Sequence, residues 1–372
     1  MTDLFAALLK GTPVQWRQCR MSPEEFVHAC TERGVTCLVD DRLRNLPSYQ
    51  RDWPCVVFDR LATTVRAQTA VELLSMNELV AVLDVLSTEG LDAILMKGTA
   101  LAYGLYDNPV SRPRIDCDLL IRRTDIDAAR RAMAAVGYTA PAYCDGELLF
   151  HQFPMQKTDR FGVGHTFDFH WKISTQSVFA DMLSFDEISA AAIALPALGP
   201  HARATGLVHA LLLACIHPVM HHRNAESLIW AYDIHLIACR LSETEFERFA
   251  DLAVSKHVSA ICAHQLNAAY TWFGTPIPAA VWLKLSAVLD REPSAAYLRR
   301  NRSWADEIVS SLGALPRWRD RLGLAREVMF PGSDYMLKTY SLSGSWLGRA
   351  LLPALYLHRL ASGCWKIFVG RK

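Results

Sequence analysis

The spacing of apolar residues changes along the chain, from helical near both ends to strand-like in a region between them. Between residues 62 and about 87, apolar side chains recur at the interval of a helical turn, and Glu89-Gly90 follows as an end signal. Nearer the N-terminus, Ser22 precedes Pro23 and two acidic residues. This pattern predicts a helix start at which the serine caps free backbone N–H groups.

The second half of the chain is patterned as helix. Five stretches carry apolar residues on one helical face, and they are residues 206–216, 226–240, 243–256, 259–272 and 279–289. The longest uncharged stretch, residues 205–220, contains histidines and a proline. It is short for a membrane span and therefore predicts a buried helix.

Strand-like runs are confined to the region between residues 92 and 171. Four runs predict strands, at residues 92–96, 115–122, 148–156 and 166–171, with a hairpin loop at 159–164. A tight turn, Lys97-Gly98-Thr99, joins the first strand to a predicted helix at 100–106, and residues 107–114 form a loop. Another helix is predicted at 125–136, closed by Gly137.

This order of elements predicts an α+β protein with a small mixed-sheet core and helices on both sides of it. We expect an N-terminal helical segment at residues 1–61, an α/β core at 62–195 and a helical domain at 196–372. With 372 residues, 51% of them apolar, the chain can bury a substantial core.

Charge and cysteine content narrow the class of protein. The chain has 39 Lys and Arg against 38 Asp and Glu, and this balance argues against nucleic acid as a general partner. Its ten cysteines form no C-x-x-C pair and no zinc or disulfide pattern, which indicates reduced thiols and a cytoplasmic location. No signal peptide is expected. The apolar and basic stretch 346–372 is expected to pack on its own domain, with a membrane surface as the alternative.

The candidate chemistry begins at Asp116-Cys117-Asp118-Leu119. Side chains alternate faces along a strand, so Asp116 and Asp118 are expected to point the same way, with Cα atoms about 6.5–7 Å apart. Two carboxylates on one face repel each other unless a cation lies between them. Mg²⁺ prefers oxygen ligands and accepts substrate phosphates as further ligands, so the pair predicts a magnesium site.

A third acid lies in the segment Thr166-Phe-Asp-Phe-His-Trp. Asp168 sits between two phenylalanines, on a predicted strand that is expected to neighbour the strand of the first two acids. Three carboxylates on adjacent strands can hold two metal ions about 3.5–4 Å apart, an arrangement that serves phosphoryl and nucleotidyl transfer. We therefore predict Asp116, Asp118 and Asp168 as metal ligands and catalytic residues.

Residues that precede the acids suit phosphate groups. Backbone N–H groups at a helix start bind phosphate, and Gly98 lets the backbone approach it closely. Lys97 and Thr99 add a positive charge and a hydroxyl group. Arg112 suits two-pronged contacts to phosphate, with neutralisation of the acidic cluster as the alternative role.

Histidines form a second group of polar candidates. His217, His221 and His222 lie in a predicted helix, and the first two can share one face. No H-E-x-x-H motif is present, so packing and hydrogen bonding, in a wall of the acceptor pocket, is preferred over a zinc site. His170 is expected to orient Asp168 or to contact substrate, and a hydrogen-bonded interior histidine is the alternative.

The motifs, taken in order, resemble the nucleotidyltransferase superfamily related to DNA polymerase β. They are Gly98-Thr99, Asp116-Cys117-Asp118-Leu119 and Phe167-Asp168-Phe169. The chain more closely resembles a bacterial family of uncharacterised nucleotidyltransferases, through LMKGTALAYGLYDNPVSRPRIDCDLLI, FDFHWKIS and MFPGSDYML, over residues 62–340. Two departures are Thr99, where glycine or serine is commoner, and the longer spacer before Asp116.

The resemblance implies a Mg²⁺-dependent reaction, with Mn²⁺ as an alternative ion. A nucleoside triphosphate, expected to be ATP, would lie with its phosphates over Gly98-Thr99, and a monophosphate would pass to a hydroxyl of a small molecule, peptide or protein, with release of pyrophosphate. Asp116 and Asp118 would bridge metal to phosphates, and Asp168 would hold the metal nearer the acceptor. A catalytically silent relative that binds a nucleotide or a partner, or a metal-dependent phosphohydrolase, is the alternative.

Overall fold

A computed structural model of the chain describes residues 2–45, 52–141, 150–288, 292–299 and 304–369. Within them, six strands form one sheet, and these are β1 (Ile94–Leu95), β2 (Cys117–Leu120), β3 (Gln152–Thr158), β4 (Gly164–His170), β5 (Ile193–Ala194) and β6 (Arg203–Ala204). Their order across the sheet is β3-β4-β2-β1-β6-β5. Strand β2 is parallel to β4 and antiparallel to β1, so the sheet is mixed, as predicted.

All four predicted strands exist, with shifted ends. Strand β2 is shorter than its prediction, and Asp116 lies just before its first residue. Strand β3 runs on to Thr158 and pairs with β4 through the predicted hairpin, whereas residues 148–149 of its prediction lie outside the described residues. Strands β5 and β6 were not predicted, since two-residue strands carry no periodic pattern. Because β6 follows residue 195, the sheet continues beyond the predicted end of the core.

Helices that precede the sheet include one that is unusually long. They are α1 (Thr2–Leu9), α2 (Trp16–Cys19), α3 (Pro23–Glu32), α4 (Thr36–Arg44) and α5 (Cys55–Thr88). Helix α3 starts as predicted, because the Ser22 hydroxyl accepts from the N–H of Glu25 while the Glu25 carboxylate accepts from the N–H of Ser22. Helix α5 begins at Cys55 rather than residue 62, directly after the extended residue Pro54.

Helices within and after the sheet make up most of the remaining chain. They are α6 (Lys97–Gly104), α7 (Ile126–Ala135), α8 (Ser177–Ala180), α9 (Phe185–Ala190), α10 (Leu207–His222), α11 (Leu228–Ala238), α12 (Glu243–Ser255), α13 (Ser259–Phe273), α14 (Ala279–Ser286), α15 (Trp304–Ala314), α16 (Trp318–Met329), α17 (Ser333–Thr339) and α18 (Trp346–Val369). The predicted C-terminal helices are confirmed as α10 to α14, although residue 289 lies outside the described residues. No helix in the described part of the chain has both the length and the apolar character of a membrane span.

Helix α6 starts three residues earlier than predicted. The turn Lys97-Gly98-Thr99 is its first turn, and the N–H of Ala100 donates to the carbonyl of Met96. Lys97 has a φ of 50°, in the left-handed region that disfavours residues with a side chain. This backbone conformation turns the chain from β1 into the helix and sets the position of the lysine.

Two apolar cores hold these layers together. In the first, Phe5 and Phe26 from the N-terminal helices are buried in one cluster with Leu211 and Phe249 from the C-terminal helices. The second includes Phe169 of the sheet and buried residues of α5 and α7. Helices before the sheet and helices α10 to α14 after it therefore share one core, and the division into three segments stays a prediction.

Candidate active site

The three predicted acids meet in the middle of the sheet. Asp118 on β2 and Asp168 on β4 are direct partners in the parallel register of the two strands, and Asp116 precedes β2 by one residue. All three line a cavity of about 320 Å³, together with Lys97 and Gly98 at the start of α6. The structure thus brings the acids to the first two residues of the predicted phosphate turn. We call Lys97, Asp116, Asp118 and Asp168 the acidic wall.

Two side chains hold Asp118. Its Oδ1 accepts one hydrogen bond from Lys97 Nζ and another from His170 Nε2, each 2.7 Å long, and the residue is 7% exposed. Burial alone raises the pKa of this carboxyl, but the Lys97 ammonium and the His170 imidazole outweigh burial and hold the pKa of Asp118 well below its usual range. Asp118 is therefore ionised without any added cation.

His170 forms its hydrogen bond with Asp118. One of its two expected roles was to orient Asp168 instead. A carboxylate only accepts hydrogen bonds, so Nε2 carries the proton in this contact. Burial, and then the charge of Lys97, lowers the pKa of His170, and its Nδ1 is buried without a hydrogen-bond partner. The ring is neutral and is not among the residues that line the cavity.

The carboxyl groups of Asp116 and Asp168 have raised pKa values, in contrast to that of Asp118. Burial, and then repulsion by Asp118 and Asp116, raises the pKa of Asp168 to about 7. Its Oδ2 accepts a hydrogen bond of 3.3 Å from Gln152 Nε2. Burial and the charge of Asp118 also raise the pKa of Asp116, against the opposing effect of Lys97. Both carboxyls are placed where a nearby cation stabilises their ionised forms.

The donor set fits a divalent cation. Ligand atoms of Asp118, Asp168 and His170 all lie within 4.8 Å of one another. Because His170 Nε2 already donates to Asp118, the available donors on these residues are mainly carboxylate oxygens, which Mg²⁺ and Mn²⁺ prefer. Asp116 lines the same cavity and can add another oxygen.

Thr99 and Arg112 are placed differently from the other predicted phosphate ligands. Thr99 is 1% exposed, and its hydroxyl donates to the carbonyl of Asp116 at 3.5 Å instead of lining this cavity. Arg112 lines the cavity, but its Nε donates to both carboxylate oxygens of Asp233 at 2.9 Å. Both side chains therefore organise the surroundings of the acids, and their contact with a triphosphate stays a prediction.

Asp233 ties the loop before β2 to helix α11. Besides the ion pair with Arg112, its Oδ1 accepts a hydrogen bond of 2.7 Å from the hydroxyl of Tyr106. Burial raises the pKa of Asp233, and the Arg112 guanidinium opposes this change. This buried network connects the loop that precedes the acids to the C-terminal helices.

A second set of residues, from α10 and α11, lines the same cavity. It consists of His217, His221, His222 and Trp230, which we call the imidazole wall. The His222 and Trp230 ring centroids are 4.4 Å apart, and those of His217 and Trp230 are 5.3 Å apart. Burial, and then the Lys97 ammonium, lowers the pKa of all three histidines, that of His217 to about 3. The histidines are therefore neutral at pH 7.

The histidines of the imidazole wall are not among the side chains grouped closely enough to hold a metal ion. Among the described residues, the group of three or more that could do so is Asp118, Asp168 and His170. Two other residues of the cavity, Gln152 and Thr205, were missed by sequence reasoning. No motif marks them, because the pairing of β3 with β4 and of β6 with β1 brings them to the cavity.

Comparison with known families agrees with this geometry. A mixed sheet that carries a D-x-D pair beside a third acid, with a glycine in the first turn of the adjoining helix, is consistent with the nucleotidyltransferase superfamily related to DNA polymerase β. The family of uncharacterised nucleotidyltransferases matches residues 20–274, more than half of the chain, and the chain therefore belongs to it. The protein is thus a nucleotidyl-transferring enzyme whose substrates include a nucleoside triphosphate. A search of curated proteins gives no match.

Proposed function

We propose that the enzyme transfers a nucleoside monophosphate, AMP from ATP, to a hydroxyl group of a small molecule or of a peptide or protein. The observation that carries the proposal is the side-by-side register of Asp118 and Asp168, with Asp116 and Lys97 in the same cavity. In this reaction, the acceptor oxygen bonds to the α-phosphorus. The bond from the α-phosphorus to the leaving pyrophosphate breaks, and the acceptor loses its proton.

Mg²⁺ is the proposed cofactor, with Mn²⁺ as a substitute, and Asp116, Asp118 and Asp168 are its proposed ligands. Once bound, the ion supplies positive charge that neutralises and aligns phosphate oxygens. Two observations support this assignment. The donor atoms are carboxylate oxygens, and mutual repulsion contributes to the raised pKa values of Asp116 and Asp168.

The triphosphate is proposed to lie at the start of α6. The first backbone N–H groups of a helix have no intrahelical partner and can bind phosphate, and Gly98 leaves room for its approach. Lys97 can exchange its contact with Asp118 for one with a phosphate oxygen. Thr99 acts on the phosphates through its backbone, and Arg112 through the edge of its guanidinium that is not bonded to Asp233.

Proton transfer is proposed for Asp168. Its carboxyl lies beside Asp118 in the cavity, and a bound cation, which opposes the burial and repulsion that raise the pKa of Asp168, would keep it ionised and able to accept a proton. His170 acts by holding Asp118 rather than by touching substrate. A cytoplasmic location fits the need for nucleoside triphosphate and the eight cysteines described as free thiols.

Incubation with α-³²P-labelled ATP, Mg²⁺ and candidate acceptors, and with the protein alone, tests the proposal. We expect pyrophosphate and a labelled product, loss of both in EDTA, and recovery with Mg²⁺ or Mn²⁺. Release of orthophosphate with labelled ADP, and with no labelled acceptor, would instead indicate a phosphohydrolase. If the Asp116→Ala variant behaves as the wild type, these acids are not catalytic.

A further inference from the structure

Three buried polar atoms around the cavity have no hydrogen-bond partner in the protein. They are Thr205 Oγ1, His217 Nδ1 and His221 Nε2. Each of the three residues lines the cavity that also contains the acids. Buried polar atoms are rarely left unpaired, so three of them around one cavity indicate a ligand that completes their hydrogen bonds.

The charge state of the imidazole wall restricts what that ligand can be. A neutral imidazole offers one N–H donor and one acceptor nitrogen, so His217 and His221 suit an uncharged polar group that has both kinds of atom. Phosphate groups find cationic and N–H partners elsewhere in the cavity, at Lys97 and Gly98. The cavity is therefore divided between a charged part and a neutral part.

Aromatic rings add a further restriction. Trp230 is half-buried, lines the cavity and packs beside His222 with ring centroids 4.4 Å apart. Indole rings stack on flat ring systems, and nucleobases stack in this way without regard to sequence. A ligand that is flat, uncharged and able both to donate and to accept hydrogen bonds has the chemistry of a nucleobase.

We propose that the imidazole wall, together with Thr205, binds the nucleobase of the triphosphate whose phosphates lie at Lys97 and Gly98. The base stacks on Trp230, and its edge forms hydrogen bonds with His217 and His221. This inference rests on the proposed function. It assigns the histidines of α10 to nucleotide binding, whereas the sequence analysis expected them in a wall of the acceptor pocket.

A separate space for the acceptor supports this assignment. A second cavity, of about 570 Å³, adjoins the first and shares Arg114, Ile115 and Asp116 with it. It is lined on one side by residues of α5 and includes none of the imidazole wall. An acceptor held there can therefore reach the first cavity, and Asp168 within it, past Asp116.

Calorimetric titration of the full-length protein with ATP and with inorganic tripolyphosphate, both with Mg²⁺, separates the base from the phosphates. We expect Trp230→Leu to weaken ATP binding about ten-fold, the size of effect seen when one stacked base is lost, and to leave tripolyphosphate binding unchanged. The matched control is Trp318→Leu, at a tryptophan that is 65% exposed and lines neither cavity. This control is expected to bind both ligands as the wild type does.

A histidine pair provides a second matched comparison. His209 and His217 both lie on α10 and both have a buried Nδ1 without a partner, but His209 does not line the cavity. His217→Ala is expected to weaken ATP binding about five-fold and to spare tripolyphosphate. His209→Ala is expected to change neither affinity, with thermal unfolding used to confirm that both variants are folded.

The outcomes separate the base site from the proposed function. The base site is wrong if Trp230→Leu binds ATP as tightly as the wild type, if it loses both ligands equally, or if the wild type binds ATP no more tightly than tripolyphosphate. Each of these results leaves nucleotidyl transfer standing. If the wild type binds neither ligand, the proposed function fails and the base site fails with it.

Discussion

The acidic wall and the imidazole wall line one cavity, yet Asp118 in the first and the histidines in the second are in opposite charge states. Asp118 is ionised and receives two short hydrogen bonds, whereas His217 and His221 are neutral and each leaves a buried nitrogen unpaired. Burial favours the neutral form of both residue types. Lys97 adds to the difference, because its ammonium, together with His170, stabilises the charge of Asp118 and, after burial, opposes a charge on the histidines.

The charge of Lys97 therefore acts in opposite directions on the acids and on the histidines of the cavity. The residues proposed to bind metal and phosphate lie on β2 and β4, just before β2, and at the start of α6. Groups that recognise an uncharged ring are on α10 and α11. Substitutions in the acidic wall are expected to affect catalysis, and substitutions in the imidazole wall are expected to affect substrate selection.

The largest effect is expected from Asp118→Asn. The substitution keeps the shape of the side chain but removes the charge that Lys97 and His170 hold in place. Nucleotidyl transfer is expected to fall about 10³-fold, as is typical when a preorganised charged group is lost. Product formation from labelled ATP measures it. The control is Asp127→Asn, at an exposed acid of α7, and an activity above one tenth of wild type in Asp118→Asn would contradict the assignment.

A smaller effect is expected at the buried ion pair of Arg112 and Asp233, which connects the loop before β2 to α11. Asp233→Asn breaks the buried pair with Arg112, and the free energy of unfolding is expected to fall by about 3 kcal/mol because a buried guanidinium loses its counter-charge. Asp92→Asn removes the partner of Arg203, in a pair whose side chains are 39% and 36% exposed. That change is expected to cost less than about 1 kcal/mol in urea unfolding. Equal losses in the two variants would show that the buried link is unimportant.

The effect of Asp168→Asn on the stability of the protein is expected to depend on pH. Because the folded pKa of Asp168 is raised to about 7, the folded protein holds a proton that the unfolded chain releases near pH 4, and this carboxyl destabilises the metal-free protein increasingly as pH rises through that interval. In EDTA, the variant is expected to gain more melting temperature over the wild type at pH 8 than at pH 5. Added Mg²⁺ should raise the melting temperature of the wild type more than that of the variant. A difference independent of pH would contradict the raised pKa.

The smallest effect concerns the backbone of Lys97. Lys97→Ala and Lys97→Gly both remove the ammonium, but only glycine accepts a φ of 50° without strain. The glycine variant is expected to be more stable than the alanine variant by about 1 kcal/mol in urea unfolding. Both are expected to raise the pKa of Asp118, which ¹³C NMR of the carboxyl carbon can measure. If alanine is the more stable variant, the left-handed conformation does not hold the lysine in place.

The sequence predicted the parts of the molecule that depend on local pattern. Alternation around Asp116 and Asp118 indicated a strand, and two flanking phenylalanines marked Asp168 as part of another. The register of β2 and β4 agrees with the expectation that these strands are neighbours. Helix α3 was predicted from its cap and helices α10 to α14 from their apolar faces. In each case the physical cause lies within a few residues of the feature.

The remaining features depend on contacts between distant segments. Lys97 meets Asp118, His170 meets Asp118 instead of Asp168, and Arg112 meets Asp233, more than a hundred residues away. Nothing in local spacing identifies such partners, because packing of the whole chain brings them together. Thr205 likewise carries no motif. Hence the acids, and the histidines of α10 as residues of a pocket wall, could be predicted from the sequence, but their partners in the site could not.

The ion pair between Lys97 and Asp118 has a thermodynamic consequence. A metal ion that binds alone meets an ammonium group that Asp118 Oδ1 already holds at 2.7 Å, and the two positive charges repel each other. A triphosphate offers Lys97 another anionic partner, so metal and nucleotide are expected to bind cooperatively, each strengthening the other by the same factor. The metal content of the enzyme is therefore expected to follow the supply of nucleotide, and to be low when nucleotide is scarce.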